Sequence, residues 1–140
     1  MTEKERNAKI KYLESYKWLN AEIEDDEERL ARLDARLYSP GAVSISDMPK
    51  GGQPVTMDSL VAQKMELQER INEKCGRRKA ILDSIERMTN ARDRLILKYR
   101  FVDNLTHDKI AERLNYSNMQ VRRYYESALE HYQKWNRNEH

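Results

Sequence analysis

The chain has little of what usually staples, punctuates or thickens a fold. Its 140 residues include one cysteine, three prolines, four glycines and one phenylalanine. The lone thiol, Cys75, excludes an intrachain disulfide and a cysteine-based zinc site, and it suits a reducing cytoplasm. No run approaches the roughly 20 apolar residues that a bilayer-spanning helix needs. The opening "MTEKERNAKIKYLESYKWLN" also lacks the apolar stretch of a signal peptide. No membrane partner is therefore expected, and a cytoplasmic location is. A strong charge of one sign is missing too: 26 Lys and Arg stand against 24 Asp and Glu, a net +2. Overall charge does not by itself point to a nucleic-acid partner.

What is present is charge of both signs and tyrosine. Charged residues make up 36% of the chain, with eight Tyr and two Trp. With so few helix breakers, this composition predicts an all-α protein whose long, water-exposed helices bury narrow stripes. Charge is unevenly spread. Residues 1–38 hold eight basic against ten acidic side chains, residues 39–88 eight against seven, and residues 89–140 ten against seven. The last third is the basic end.

Thr2 to about Leu37 contains no Gly or Pro and reads as one helix, roughly 50 Å long at 1.5 Å per residue. Steps of four and three pick out Tyr12, Tyr16, Leu19, Ile23, Asp26, Leu30, Leu33 and Leu37, a heptad-like seam broken only by Asp26. Such a stripe needs a partner helix. A second helical segment starts near Asp58, with Asp58 or Thr56 as N-cap, and places Leu60, Val61, Leu67, Ile71, Cys75, Ile81, Leu82, Ile85 and Met88 mostly on one face. Gly76 inside it would weaken or bend the helix, and Arg77, Arg78 and Lys79 read as a solvated face. An antiparallel helical hairpin, or a dimer of two hairpins, would bury both stripes. Between them "YSPGAVSISDMPKGGQPVT" holds all three prolines and reads as a loop at about 38–57. Lys50-Gly51 lacks the spacing of a phosphate-binding P-loop. The expected organisation is thus a hairpin or oligomerisation region over 1–88 and a second domain over 89–140.

The second domain contains "LTHDKIAERLNYSNMQVRRYYESAL", from Leu105 to Leu129. Before it, "NARDRLILKYRFVDN" has a cap-like Asn90 and Leu95, Ile96, Tyr99 and Val102 at helical spacing. Thr106 is placed to cap one short helix, and Ser117 to cap a longer one reaching about Trp135. A helix-turn-helix needs a small residue where the helices cross, which Ala111 supplies, and a turn residue tolerant of positive φ, for which Asn115 is second only to glycine. Ile110, Leu114, Val121, Tyr124 and Ala128 are spaced to lock the helices together. The candidate DNA-binding residues are then Thr106, Ser117, Asn118, Met119, Gln120, Arg122 and Arg123, with Glu126 also facing outward. Asn and Gln can bond adenine edges, and Arg can bond guanine or phosphate.

Enzyme signatures are missing. His107, His131 and His140 form no metal motif, and Glu24 to Glu28 is a contiguous acidic face without convergent geometry. Cys75 on a seam position reads as a small hydrophobe, and Tyr124, Tyr125 and Tyr132 read as aromatic packing. Neither catalysis, a cofactor nor a bound metal is expected.

The segment from Arg92 to Tyr132 resembles the fourth conserved region of bacterial sigma factors. The resemblance is carried by Leu95 and Tyr99, Leu105-Thr106, Ile110-Ala111, Leu114, Ser117, Val121-Arg122 and Ala128-Leu129, with Asn115-Tyr116-Ser117 in place of the commoner Gly-x-Ser turn. As a whole the chain is similar to phage and prophage regulators of the RinA and ArpU type from Gram-positive bacteria, which join N-terminal helices, a Met-Pro-basic-Gly loop (Met48 to Gly51 here) and such a domain. The resemblance implies a sequence-specific regulator of transcription that binds double-stranded DNA. Its recognition helix would start near Ser117, it would be a homodimer through the N-terminal helices, and RNA polymerase is a possible contact. Sigma regions 2 and 3 are missing, so a complete sigma factor is not implied. Two alternatives stay open: a small terminase subunit binding a packaging site, and a non-enzymatic protein that binds host RNA polymerase.

Overall fold

The computed structural model describes residues 1–38 and 56–133. The chain is all-α, with no strand among the described residues. Among the described residues five α-helices follow in order: α1 (Glu3–Tyr38), α2 (Met57–Glu86), α3 (Ala91–Leu97), α4 (His107–Leu114) and α5 (Asn118–His131). Two long helices preceding a helix-turn-helix is the architecture expected from the sequence. The expected loop with its Met48 to Gly51 motif, and the expected reach of the last helix to Trp135, lie outside the described residues.

Side-chain oxygens set the helix starts, because the first N–H groups of a helix have no partner inside it. Thr2 accepts from Glu5 N–H at 3.1 Å, and Thr56 from Ser59 N–H at 3.0 Å. Thr56 is therefore the cap of α2, while Asp58 sits in its first turn, where a negative charge faces the positive end of the helix. α2 runs unbroken through Gly76, whose missing side chain faces open space.

The residues form two compact units, Met1–Asn20 with Arg77–His140, and Ala21–Gly76. The 88/89 boundary drawn from the sequence falls inside the first. That unit has a thick core in which Leu13, Ile81, Ile85, Ile96, Leu97, Ile110, Val121, Leu129 and Tyr132 are buried. Leu13, which lies off the seam chosen by periodicity, is more deeply buried than Tyr12 and Tyr16.

α3 passes into a wider π-helical turn, Lys98–Val102, closed by Asp103 N–H on Lys98 O at 3.0 Å. Here Phe101 is the buried residue, Tyr99 and Val102 are half-buried, and Leu95 is 36% exposed. The sequence put Leu95, Ile96, Tyr99 and Val102 at helical spacing, and of these Ile96 is the one fully buried. The Asn90 cap and the neighbours Ile96 and Leu97 fix the register, and the π turn then shifts which side chain points inward.

In the unit Ala21–Gly76 the stretches of α1 and α2 run antiparallel, as the ion pairs Asp34–Lys64 (2.9 Å) and Asp26–Lys74 (2.8 Å) show. Ile23, Leu67 and Ile71 form its apolar stripe, with Leu30 and Cys75 at the edge. Asp26, the break in the apolar seam, is buried, and Lys74 answers it across the pair. Val61 was counted on the inner face but is 42% exposed. It follows Leu60, and adjacent helical residues point about 100° apart, so the fully buried Leu60 turns Val61 outward.

Candidate nucleic-acid interface

α4, its turn and α5 are built from local signals. Thr106 accepts from Lys109 N–H at 3.2 Å and starts α4. Asn115 ends it in the left-handed conformation (φ 58°, ψ 42°), a cost its short polar side chain tolerates and a branched one would not. Tyr116 N–H then returns to Ala111 O at 3.0 Å. Ser117 opens α5 with a reciprocal capping box: its hydroxyl accepts from Gln120 N–H at 3.1 Å, and Gln120 Oε1 accepts from Ser117 N–H at 2.9 Å. Ala111 is buried at the crossing, and Val121, Tyr125, Ala128 and Leu129 press α5 inward. Tyr125 holds this place more fully than Tyr124, whose ring meets Tyr116 edge to face and carries the Arg92 guanidinium 3.9 Å from its centroid.

The candidate residues thus separate by what they touch. Thr106, Ser117 and Gln120 are exposed, but their oxygens are engaged in capping. Asn118, Met119, Arg122 and Arg123 lie exposed along the first half of α5, and Met119 is 70% exposed despite being apolar. His107, in the first turn of α4, packs edge to face on Tyr125 at 4.7 Å. Burial, reinforced by the positive charges of Arg100 and Arg122, lowers its pKa below the ordinary 6.5.

Four contacts from outside the helix-turn-helix fix the far half of α5. Arg6 of α1 grips Glu126 with a two-pronged bond, Nε to Oε1 and Nη2 to Oε2, both at 2.6 Å. This bond, more than the opposing burial, lowers the Glu126 pKa. Lys9 donates to Leu129 O at 2.8 Å, placing a cation at the negative end of the helix. His131 Nδ1 lies 2.8 Å from Oδ2 of the buried Asp93 on α3. Tyr132, fully buried, shares a 2.6 Å hydrogen bond with the Ser84 hydroxyl of α2, and burial pushes its pKa up to about 12.

Sequence periodicity did not find these contacts. Arg6 and Lys9 stand at helical spacing before the buried Leu13, off the seam chosen by periodicity, and a search for apolar residues passes over the two cations. Among the described residues, no group of three or more His, Cys, Asp or Glu is placed to hold a metal ion, and no helix is long and apolar enough to cross a membrane.

No curated protein and no solved structure gave a match to the chain. Residues 90–134, which hold α3, the π turn, α4 and α5, match the family model for sigma-70, region 4, a DNA-binding helix-turn-helix domain.

Proposed function

We propose that the protein is a transcription regulator that reads a specific sequence of double-stranded DNA with the first half of α5 in the major groove. The observation that carries this reading is the exposed row Asn118, Met119, Arg122 and Arg123 on a helix that caps and core contacts hold rigidly. Asn118 and the arginines supply the donor and acceptor patterns that distinguish base edges, and Met119 offers an apolar surface to a thymine methyl. Thr106, Ser117 and the free amide nitrogen of Gln120 sit at the helix starts, where phosphate contacts set the docking register. The modest positive charge of this region argues for a homodimer, paired through the N-terminal helices, whose two domains read half-sites about 34 Å apart. Phage or prophage origin, of the RinA and ArpU kind, rests on the resemblance of the sequence, and a place in the bacterial cytoplasm on the nucleoid follows from it.

Selection of bound duplexes from a random pool tests the reading, with a recovered two-fold motif as the expected result. On that motif, Arg122→Ala and Arg123→Ala each weaken binding. A base contact costs about 1–3 kcal/mol and relaxes preference at one position, whereas a phosphate contact lowers the salt slope by about one. Unchanged affinity in both variants would overturn the assignment of this face. A ring-sized mass in solution, with enrichment of a packaging site, would favour a terminase subunit instead.

A further inference from the structure

We infer that the unit Ala21–Gly76 carries a self-complementary docking face, on which an arginine groove of one copy receives the carboxylates of a second copy. This rests on the homodimer in the reading above and names its surface. Arg29, Arg32 and Arg36 line the groove from α1 and Arg70 from α2, over Leu33 and Leu67. Arg29 is paired with Asp25 at 3.0 Å, whereas Arg32, Arg36 and Arg70 have no ion pair among the described residues. The three guanidinium groups of Arg32, Arg36 and Arg70 against the single carboxylate of Glu66 make the groove a receptor for planar anions.

A nucleic-acid backbone fits this groove poorly. The same ridge of α1 continues into Asp25, which pairs with Arg29, and Glu22, 4.0 Å from Lys74. Both carboxylates stay more than half exposed and keep a face open to a further cation, and Glu73 lies one turn beyond Arg70 on α2. A duplex following the groove would lay its phosphates along these acids.

A second copy turns the same arrangement into attraction. Rotated about a two-fold axis near residue 28, the basic half of one copy meets the acidic half of the other, and each contact occurs twice. Asp25 lies seven to eleven residues from Arg32 and Arg36, or roughly 10–16 Å along the helix, which sets the offset between the copies. Complementary charge of this kind chooses partner and register.

The test uses the full chain and sedimentation equilibrium over a range of concentrations. One variant carries Arg32→Glu and Arg36→Glu, the other Glu22→Lys and Asp25→Lys, and circular dichroism checks that both remain helical. Each variant alone should raise the dimer Kd about tenfold or more, and raised salt should weaken the wild-type dimer. An equimolar mixture of the two should recover wild-type association, because both contacts become complementary again. Variants that keep the wild-type Kd, or a mixture that stays monomeric, would overturn the docking face while leaving the dimer standing. A wild-type chain that is monomeric throughout would overturn the dimer itself. Loss of DNA affinity with an unchanged dimer mass would give the groove to nucleic acid.

Discussion

In the unit built on the helix-turn-helix, Ile110, Val121 and Leu129 are sealed from water in a core to which all five helices contribute, and its buried polar groups, Asp93 and Ser84, are answered by His131 and Tyr132 at the end of α5. In the unit Ala21–Gly76 two helices alone share the apolar stripe of Ile23, Leu67 and Ile71, and a carboxylate, Asp26, sits within the seam beside Lys74. The first arrangement fixes the direction of each side chain and so suits a surface that must read another molecule. The second leaves most of each helix in water, and its charges become the material for pairing with a partner. A helix pair can afford a buried carboxylate only because the answering cation is within reach across the seam.

Core truncation should separate the units most sharply. Leu129→Ala removes a fully buried side chain on α5 whose surroundings cannot close, and should cost about 3–4 kcal/mol. Ile23→Ala sits in a thin seam that can partly collapse, and should cost about 2 kcal/mol. Urea unfolding followed by circular dichroism measures both, and equal costs would remove the distinction between thick and thin cores.

The polar pair of the thin seam gives the next largest effect. Asp26→Ala removes the closer partner of Lys74 and leaves it the Glu22 carboxylate at 4.0 Å, at about 2 kcal/mol, below the range for a fully sealed pair because Lys74 keeps that partner and some contact with water. Replacing both, with Asp26→Leu and Lys74→Met, should return stability to near the wild-type value or above. A double variant as unstable as the single one would mean that the pair is a net stabiliser.

Local chemistry made much of this legible in advance. Asn90, Thr106 and Ser117 act as the caps their side chains suggest, and Asn115 takes the left-handed turn for which glycine is the usual choice. The all-α class followed from the scarcity of proline and glycine. What stayed hidden depends on tertiary contact. Tyr125, rather than Tyr124, faces the core because α4 and the π turn decide which side of α5 is covered. Val61 and Leu95 satisfy a helical pattern yet face water, since a pattern allows more positions than two helices can cover. Arg6 and Lys9 act on residues about 120 positions away, and no local rule joins a cation to a distant carboxylate or helix-end carbonyl.

The Arg6 clamp sharpens the contrast between a surface that reads and a surface that pairs. Both of its side chains are partly in water, so Arg6→Ala should cost at most about 1 kcal/mol of stability. Its effect on DNA should be larger than that suggests, because Glu126 then stands uncompensated on the outward side of α5 and repels phosphate. Several-fold weaker binding, restored when Glu126→Gln is added, is the expected result of a binding titration on the selected site. If the second change restores nothing, Arg6 acts only by holding α5 in place.

The smallest effect, set by pH, links stability and reading at one residue. His107 is disfavoured as an imidazolium by burial and then by Arg100 and Arg122, and its place at the positive end of α4 adds to this. Its folded pKa therefore lies below 6.5, so the unfolded chain takes up the proton first as pH falls. Stability is full above that value and is lost progressively toward the depressed folded pKa. Glu126 behaves separately: its pKa is depressed by Arg6, and its contribution persists until the pH falls below 4.5. A phosphate seated on Arg122 would offset one of the charges that keeps His107 neutral, so bound DNA would favour the protonated form. Between about pH 7.5 and about pH 5.5 the wild-type chain should lose stability and gain DNA affinity together, opposite trends with one titrating origin. His107→Gln should flatten both. A sloping stability with a pH-independent affinity would mean that DNA does not approach Arg122.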